Sequence, residues 1–385
     1  METNIVLVGI GGYGDVYVRA LTRQKARENC NIVGVVDPFA ASAPGYGALK
    51  EMGVEFFGTQ EEFYAKKSAD LAIIATPIPL HESQAVYAME HGSNVLLEKP
   101  IAATPEAGRR IAAAAERTGK KLAIGFQWCY DKAMLRLKAD INSGVLGAPR
   151  RLRTLVLWPR DLAYYSRGTG WAGKKYDRAG NPIFDSVASN ATAHYLENML
   201  WLAGRGYEGS SIVDMRAETW RANDIETFDT VTLVGRLDCG AEITYVVSHA
   251  VHPDALQNPM FEYEFENATA YFGGYGVDGT RITAKFKDGS VKDYGVSDNG
   301  SVGYTAKLWD MIDAIRDGAS IACPPAAALR HADAIAAMRR IEPDARVFDG
   351  IQRTDAYVWV PGLDKKLIRC YEERRMLSEV MEENA

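Results

Sequence analysis

Gly9, Gly11 and Gly14 stand in the spacing G-x-G-x-x-G within VGIGGYGDVY, after the apolar run NIVLVGI and before a helix-compatible segment. Each glycine has a physical task there. Gly9 makes a tight turn, Gly11 lets a ligand approach the backbone, and Gly14 allows the helix to pack closely on the strand. Gly12 and Tyr13 complete the turn. The helix that follows offers unpaired N–H groups and a positive dipole end, which suits a diphosphate. A second run, NIVGVVD, ends in Asp37, about 20 residues beyond the last glycine, where a carboxylate accepts hydrogen bonds from the adenosine ribose of a dinucleotide. Pro38, Phe39, Ala40 and Ala41 follow it with no cation to pair a 2′-phosphate, so NAD is expected over NADP.

Ligands of an open parallel sheet bind beyond the carboxyl ends of its strands. The run LAIIAT passes into ATPIPLH, where Thr76 and Pro77 turn beneath the expected nicotinamide ribose and His81 opens the next helix. The run NVLLEK passes into EKPIA, where Glu98 and Lys99 meet a proline-directed turn and place a cation near the redox centre. Alcohol oxidation also needs a base for the hydroxyl proton, and histidine titrates nearest neutral pH. Among six histidines, His194 opens the helix AHYLENMLWLAG. Leu196, Met199, Leu200 and Ala203 form an apolar stripe there, and His194, Asn198 and Trp201 share another face.

Together these pieces resemble the Gfo/Idh/MocA family, the glucose-fructose oxidoreductase and inositol dehydrogenase group. The resemblance rests on the GIGGYG turn, Asp37, the ATP turn at Thr76, the EKP triplet from Glu98 to Pro100, and GFQWCYD at 125–131, similar to the family's GFNRRFD. It covers the N-terminal domain and its junction. It implies that Lys99 hydrogen-bonds a substrate hydroxyl at the carbon that gives up hydride, where an ammonium stabilises negative charge growing on oxygen. Gln127, at the junction, is expected among the cofactor contacts with Glu98 and His81. The family's catalytic histidine lies in a frame similar to that of His194, with Trp201 and Gly204 at matching distances. The family reads DxGxH before this helix, whereas Asn190 and Thr192 occupy those places in DSVASNATAH. Asn190 positions a hydroxyl through its amide but relays no proton. Asp185, upstream, is the alternative carboxylate.

The segment 158–185 is rich in aromatics, arginine and glycine and has no regular pattern, and long loops of that kind usually serve a site. Trp158, Tyr164, Tyr165 and Trp171 are expected to stack on a sugar ring, with Arg160, Arg167 and Lys174 reaching hydroxyls or carboxylates. Trp128 and Tyr130 would add a wall, and His252 is a weaker candidate. The cations point to an acidic sugar or glycoside. The leading reading is an NAD-dependent oxidoreductase acting on a sugar, sugar derivative or cyclic polyol. One alternative is an NAD-dependent glycosidase working by transient oxidation and elimination; another is a nucleotide sensor without turnover. Neither HExxH nor a paired His/Asp cluster is present, so no metal is expected.

Two kinds of element position these residues. The first third alternates β-branched runs, including KLAIGF, with helical segments at 15–24, 60–67, 80–91 and 105–118, the pattern of βαβ units in a doubly wound parallel sheet. Thr104, Pro105 and Gly119 cap the last of these helices. After a helix at 133–142 the runs RLRTLVLW, IVDMRAETW, DTVTLVGRL, AEITYVVSHA, EYEFENATAYF and TRITAKF predict an α+β domain with a large, mostly antiparallel open sheet. Helices are expected at 191–203, 304–316, 326–340 and 366–381. The division expected is a Rossmann domain over 1–125 and a substrate and oligomerisation domain over 126–385.

At 385 residues the chain exceeds a single core, and 47% hydrophobic with 24% charged residues is a globular composition. A net charge of -6 argues against nucleic-acid binding. No long apolar run or signal pattern is present, so a cytoplasmic protein without membrane contact is expected. Five scattered cysteines suggest no disulfide framework. One sheet face left to cover implies a homo-oligomer, and the family resemblance implies that a homodimer or homotetramer buries it.

Overall fold

The structure, a computed structural model, describes residues 2–23, 29–168, 170–274, 279–297 and 303–383. It divides into two compact units, Met1–Asp131 with Asn299–Leu329, and Lys132–Asp298 with Arg330–Ala385. A single break after residue 125 does not describe this division. The helix Gly303–Asp317 places Leu308, Met311 and Ile312 in one apolar cluster with Ile5, Leu7, Tyr17, Val18 and Leu71, so the chain returns to the first unit before completing the second.

In the first unit the apolar runs become β1 (Thr3–Val8), β2 (Cys30–Val36), β3 (Phe56–Phe57), β4 (Leu71–Ile74), β5 (Asn94–Leu97) and β6 (Leu122–Ile124). Their order is β3-β2-β1-β4-β5-β6 and every pairing is parallel. β4 is buried at every position, as a strand covered on both faces must be. The winding reverses between β1 and β4, and a crevice at their carboxyl ends is where such sheets take ligands. The helix Gly14–Arg23 begins at the last glycine of the motif; Gln24, the expected last residue of that helix, lies outside the described residues. Thr104 accepts from the Ala107 amide at 3.3 Å and Gly119 ends the helix Pro105–Thr118 at φ +66°, as their types predict. The helix Gln60–Tyr64 is shorter than expected. Tyr46–Glu51 is an unforeseen helix, too short to show a period.

The second unit carries β7 (Pro149–Leu157), β8 (Ile212–Arg221), β9 (Thr230–Leu237), β10 (Glu242–Ser248), β11 (Gln257–Phe265), β12 (Ala268–Phe272), β13 (Arg281–Phe286), β14 (Val291–Val296) and β15 (Arg346–Val347). They form one sheet in the order β14-β13-β12-β11-β7-β10-β9-β8-β15, antiparallel except for β7 with β10 and β8 with β15. EYEFENATAYF is not one strand. It turns at Glu266 and Asn267 into the hairpin β11–β12, and the half-exposed β14 was not foreseen.

Alternation along β7 sorts its side chains to two faces. Thr154 meets the Tyr263 hydroxyl at 2.9 Å, and Asn198 of the helix Ala193–Ala203 reaches the same hydroxyl at 3.4 Å. Leu155 and Leu157, opposite, pack with Leu363, Leu367 and Tyr371 of the helix Leu363–Glu373. That helix stops at Arg374, whose φ is +56°, and Leu377–Glu382 starts afresh, so the expected continuous helix 366–381 is two. Ala193–Ala203 starts later than expected because Val187–Ala191 forms a wide π turn capped by Ser186. From Tyr195 to Ala203 it is buried throughout, so it is a core helix and the two-faced reading does not hold. No helix among the described residues is long and apolar enough to cross a membrane.

Candidate functional site

In the first unit the glycine turn sits at the carboxyl end of β1. Gly9 has φ +82°, and a Cβ on Gly14 would fall 2.2 Å from the Gly9 carbonyl oxygen, so the helix starts this close to the strand only with glycine. A Cβ on exposed Gly11 would meet nothing within 4 Å, which leaves the turn open at the point expected to face a pyrophosphate. Asp37 Oδ2 accepts from the Ile10 amide at 2.9 Å and Oδ1 from Phe39 at 2.8 Å, so this carboxylate ties the turn to the end of β2. A tight turn, a helix N-terminus and a carboxylate at neighbouring strand ends fit a dinucleotide.

The turns after β4 and β5 are joined by His81. It is 1% exposed, with Nδ1 3.0 Å from the Pro100 carbonyl and Nε2 3.0 Å from the Thr76 carbonyl, and burial lowers its pKa. The neutral ring donates to one of these carbonyls at a time, and its place between them makes His81 a strut between the two turns. Thr76 donates to Gln84 Oε1 at 2.5 Å, and Pro77 leads the following turn.

Glu98 is likewise turned inward. Its carboxylate accepts from the Tyr17 hydroxyl at 2.5 Å and from the Lys99 amide at 3.2 Å, and it pairs with Lys307 at 2.5 Å. Lys307 also donates to the Gly125 carbonyl and the Tyr13 hydroxyl, each at 3.1 Å, and Tyr13 donates to Gln127 Oε1 at 3.5 Å. Burial lowers the Lys307 pKa, and Glu98 opposes that shift. Burial first, then the Glu98 charge, holds the Tyr13 and Tyr17 phenols protonated. The network brings Tyr13, Glu98 and Gln127 together and fixes the Lys99 backbone, so the Glu98 carboxylate positions the turn. The motifs did not reveal Tyr17 or Lys307; the only signal was a lone cation inside the apolar helix pattern YTAKLWDMIDAI. Trp128 and Tyr130 are 1% exposed, and Tyr130 donates to the Ile124 carbonyl at 3.1 Å, so both are core and not an open wall.

In the second unit His194 is half-buried at the start of its helix. Thr192, where the family's glycine was expected, donates to the Val187 carbonyl at 2.6 Å and meets the Tyr245 hydroxyl at 2.7 Å. Asn190 donates its backbone N–H to the Ser186 carbonyl at 3.2 Å, and the Thr192 N–H, 2.9 Å from the Val187 carbonyl, closes the π turn. Asp185 is buried, and its Oδ2 accepts from the Gly173 amide at 2.7 Å while its carbonyl accepts from the Thr227 hydroxyl. It anchors the loop ahead of the helix.

The aromatic segment keeps most of its expected members together, although Thr169 lies outside the described residues. It contains a short helix, Leu162–Ser166, capped by Asp161. The Arg167 guanidinium carbon lies 3.5 Å from the Tyr164 ring centre and 4.7 Å from that of Trp171, and Arg160 lies 4.8 Å from Tyr164. Tyr165 meets the edge of Tyr164 at 5.1 Å. Trp158 touches Tyr195, the neighbour of His194, edge-on at 5.6 Å. Lys174 does not join the group, because it pairs with Glu226 at 3.1 Å.

Beside these rings lies a histidine that the sequence did not single out. His249, just after β10, is 2% exposed, contacts Tyr164 at 5.6 Å and places Nδ1 2.7 Å from the Trp158 carbonyl. Burial, then the Arg160 charge, pushes its pKa down to about 3. His252, proposed from the same strand end, is half-exposed and accepts from the Asp254 amide at 3.2 Å. The missed signal was the polar pair Ser248–His249 directly after the buried apolar run Tyr245–Val247.

Residues 3–126 match the family model described as an oxidoreductase family with an NAD-binding Rossmann fold. An inositol 2-dehydrogenase of Burkholderia cenocepacia is 29% identical over 216 residues, and one of Klebsiella pneumoniae is 27% identical over 213. In each case the matched segment is 55% of this chain and 58% of the relative, so it spans little more than half of those dehydrogenases. The fold is shared more widely. The WlbA dehydrogenase of Bordetella pertussis, solved with NADH and UDP-GlcNAcA, superposes with a TM-score of 0.70 at 22% identity over 89% of this chain and 97% of that one. An Agrobacterium radiobacter oxidoreductase solved with NAD+, L-tartaric acid and magnesium gives 0.71 at 16% identity, with the same coverage.

Proposed function

We propose that this chain, whose residues 3–126 match the model of an oxidoreductase family with an NAD-binding Rossmann fold, moves hydride between NAD and a hydroxyl-bearing carbon of a sugar, sugar derivative or cyclic polyol. The observation that carries the proposal is the buried Glu98–Lys307 pair, which holds the Lys99 amide at the carboxyl end of β5 in the same unit as the glycine turn. Gly9, Gly11, Gly12 and Gly14 would hold the diphosphate and Asp37 the adenosine ribose. Thr76 and Pro77 would border the nicotinamide, which supplies the hydride acceptor when bound. The Lys99 ammonium donates to the reacting hydroxyl oxygen and steadies the negative charge that grows there. His194 removes the hydroxyl proton as general base, and Asn190 orients a neighbouring hydroxyl.

The test is a panel of hexoses, uronates and inositols offered to the purified protein with NAD, following NADH formation. Lys99→Ala is expected to lower turnover by about 10²–10⁴-fold while NAD binding persists, the usual range for a positioned proton-transfer or charge-stabilising group. Unchanged turnover would remove Lys99 from the mechanism. Sugar release from a glycoside without net NADH would replace dehydrogenation with redox-neutral cleavage.

A further inference from the structure

The rings of 158–171 surround polar groups that the oxidation reading leaves without work. Arg160 and Arg167 both lie within 5 Å of the Tyr164 ring centre, yet among the described residues neither forms an ion pair. Among the described residues the hydrogen-bond acceptor of Arg167 is a carbonyl, that of Tyr164, at 2.6 Å. The buried Nε of Arg160, the buried hydroxyl of Tyr165 and the buried Nε2 of His249 have no hydrogen-bond partner among the described residues. Buried polar atoms are rarely left in that state unless a ligand or water completes them.

Two carboxylates act on these rings, and both are held by other donors. Asp229 Oδ2 accepts from the Ala222 amide at 3.0 Å and from the Asn223 amide and side chain at 2.8 Å each. Asp185 accepts from Gly173. Neither reaches ion-pair distance of either guanidinium. The imidazole adds direction. With Nδ1–H donated to the Trp158 carbonyl and the ring neutral, Nε2 is a pure acceptor, which suits a ligand hydroxyl and repels a carboxylate oxygen.

We propose that Arg160, Arg167, Tyr165 and His249 form a subsite for a hydroxylated carboxylate, which makes the substrate a sugar acid. The guanidiniums take the carboxylate, Tyr165 donates to it, and His249 Nε2 accepts from an adjacent hydroxyl. Trp158, Tyr164 and Trp171 supply ring faces for the carbon skeleton. The proposal rests on the sugar or polyol oxidation argued above and narrows its substrate class.

The test compares D-glucuronate and D-galacturonate with D-glucose, D-galactose and myo-inositol on the full chain. Thermal shift reads binding and NADH formation reads turnover. Wild type is expected to favour the acids by about 10-fold or more in kcat/KM. Arg167→Gln is expected to lower the acid values by about 10–100-fold and the neutral values by less than about 3-fold, the scale of a lost charge-assisted pair. Arg160→Gln supplies a second reading should Arg167→Gln misfold. His249→Asn, which keeps a donor toward Trp158 and removes Nε2, is expected to weaken acids and neutral sugars alike. A wild type without acid preference, or arginine variants that lower both classes equally, would overturn the subsite. Should no compound be oxidised while uronate binding still depends on the arginines, the oxidation reading falls and the subsite stands.

Discussion

Lys307 Nζ and Glu98 Oε1 lie 2.5 Å apart with side chains 1% and 8% exposed, a buried ion pair joining the helix Gly303–Asp317 to the end of β5. The Lys99 amide and the Tyr17 hydroxyl bind the same carboxylate, so the pair sets where the EKP turn sits. Removing one partner leaves the other charge buried. Lys307→Met is expected to destabilise the fold by about 3–5 kcal/mol. The double variant Glu98→Gln/Lys307→Met should be much less unstable than the two single changes combined. Urea unfolding of the three variants checks this, and strict additivity would show that the pair is not coupled.

Asp37 has a structural task, and a discriminating one is proposed beside it. Its two oxygens hold the Ile10 and Phe39 amides, and its negative charge would oppose a 2′-phosphate. Asp37→Asn keeps an acceptor for the turn and removes the charge. NAD-over-NADP selectivity is expected to fall by about 10-fold, corresponding to about 1.4 kcal/mol of like-charge repulsion. Titration of each cofactor by intrinsic fluorescence measures it. A selectivity unchanged in Asp37→Asn would assign discrimination to other residues.

What was legible in the sequence was what depends on near neighbours. The glycine turn, the Thr104 cap and the parallel strands follow from spacing and residue type over a few positions. His81 and Glu98 were found, but their internal partners were not, because a side chain at a strand end points either outward or into the fold, and only tertiary packing decides. Lys307 and His249 escaped because their partners, Glu98 and Trp158, are far away in sequence. The hairpin at Glu266–Asn267 was missed because it lacks the Asn-Gly or Asp-Gly signature of tight turns.

The helix that carries His194 is held at its far end by another unforeseen cation. Lys138, fully buried, donates to the carbonyls of Trp201 and Gly204 at 2.6 Å each and lies 5.3 Å from the Trp201 ring centre. These carbonyls lie at the end where a helix runs out of intrahelical donors, and the Trp201 carbonyl has a 3.3 Å contact from the Gly204 amide besides, so the ammonium acts as the C-terminal cap. Lys138→Met is expected to cost about 3 kcal/mol, the scale of charged hydrogen bonds lost with buried acceptors left behind. Urea denaturation reads it. A loss below about 1 kcal/mol would mean that water replaces the ammonium.

His249 makes stability depend on pH. Burial and the two arginines push its pKa down to about 3, whereas in the unfolded chain it titrates near 6.5. Above pH 6.5 both states are neutral, and the full stability is present. As pH falls from 6.5 toward 3 the unfolded chain gains a proton that the folded chain refuses, so stability is lost at about 1.4 kcal/mol per pH unit. His249→Asn has no such group and keeps a donor toward the Trp158 carbonyl. Unfolding both proteins at pH 7 and pH 5 is expected to show wild type losing about 2 kcal/mol more than the variant over that interval. Carboxylates and His81 titrate in both proteins and cancel in the difference. Parallel losses would mean that the folded protein protonates His249 as readily as the unfolded chain does. Its Nε2 would then become a donor below pH 6.5, and the acceptor role in the sugar-acid subsite would be confined to higher pH.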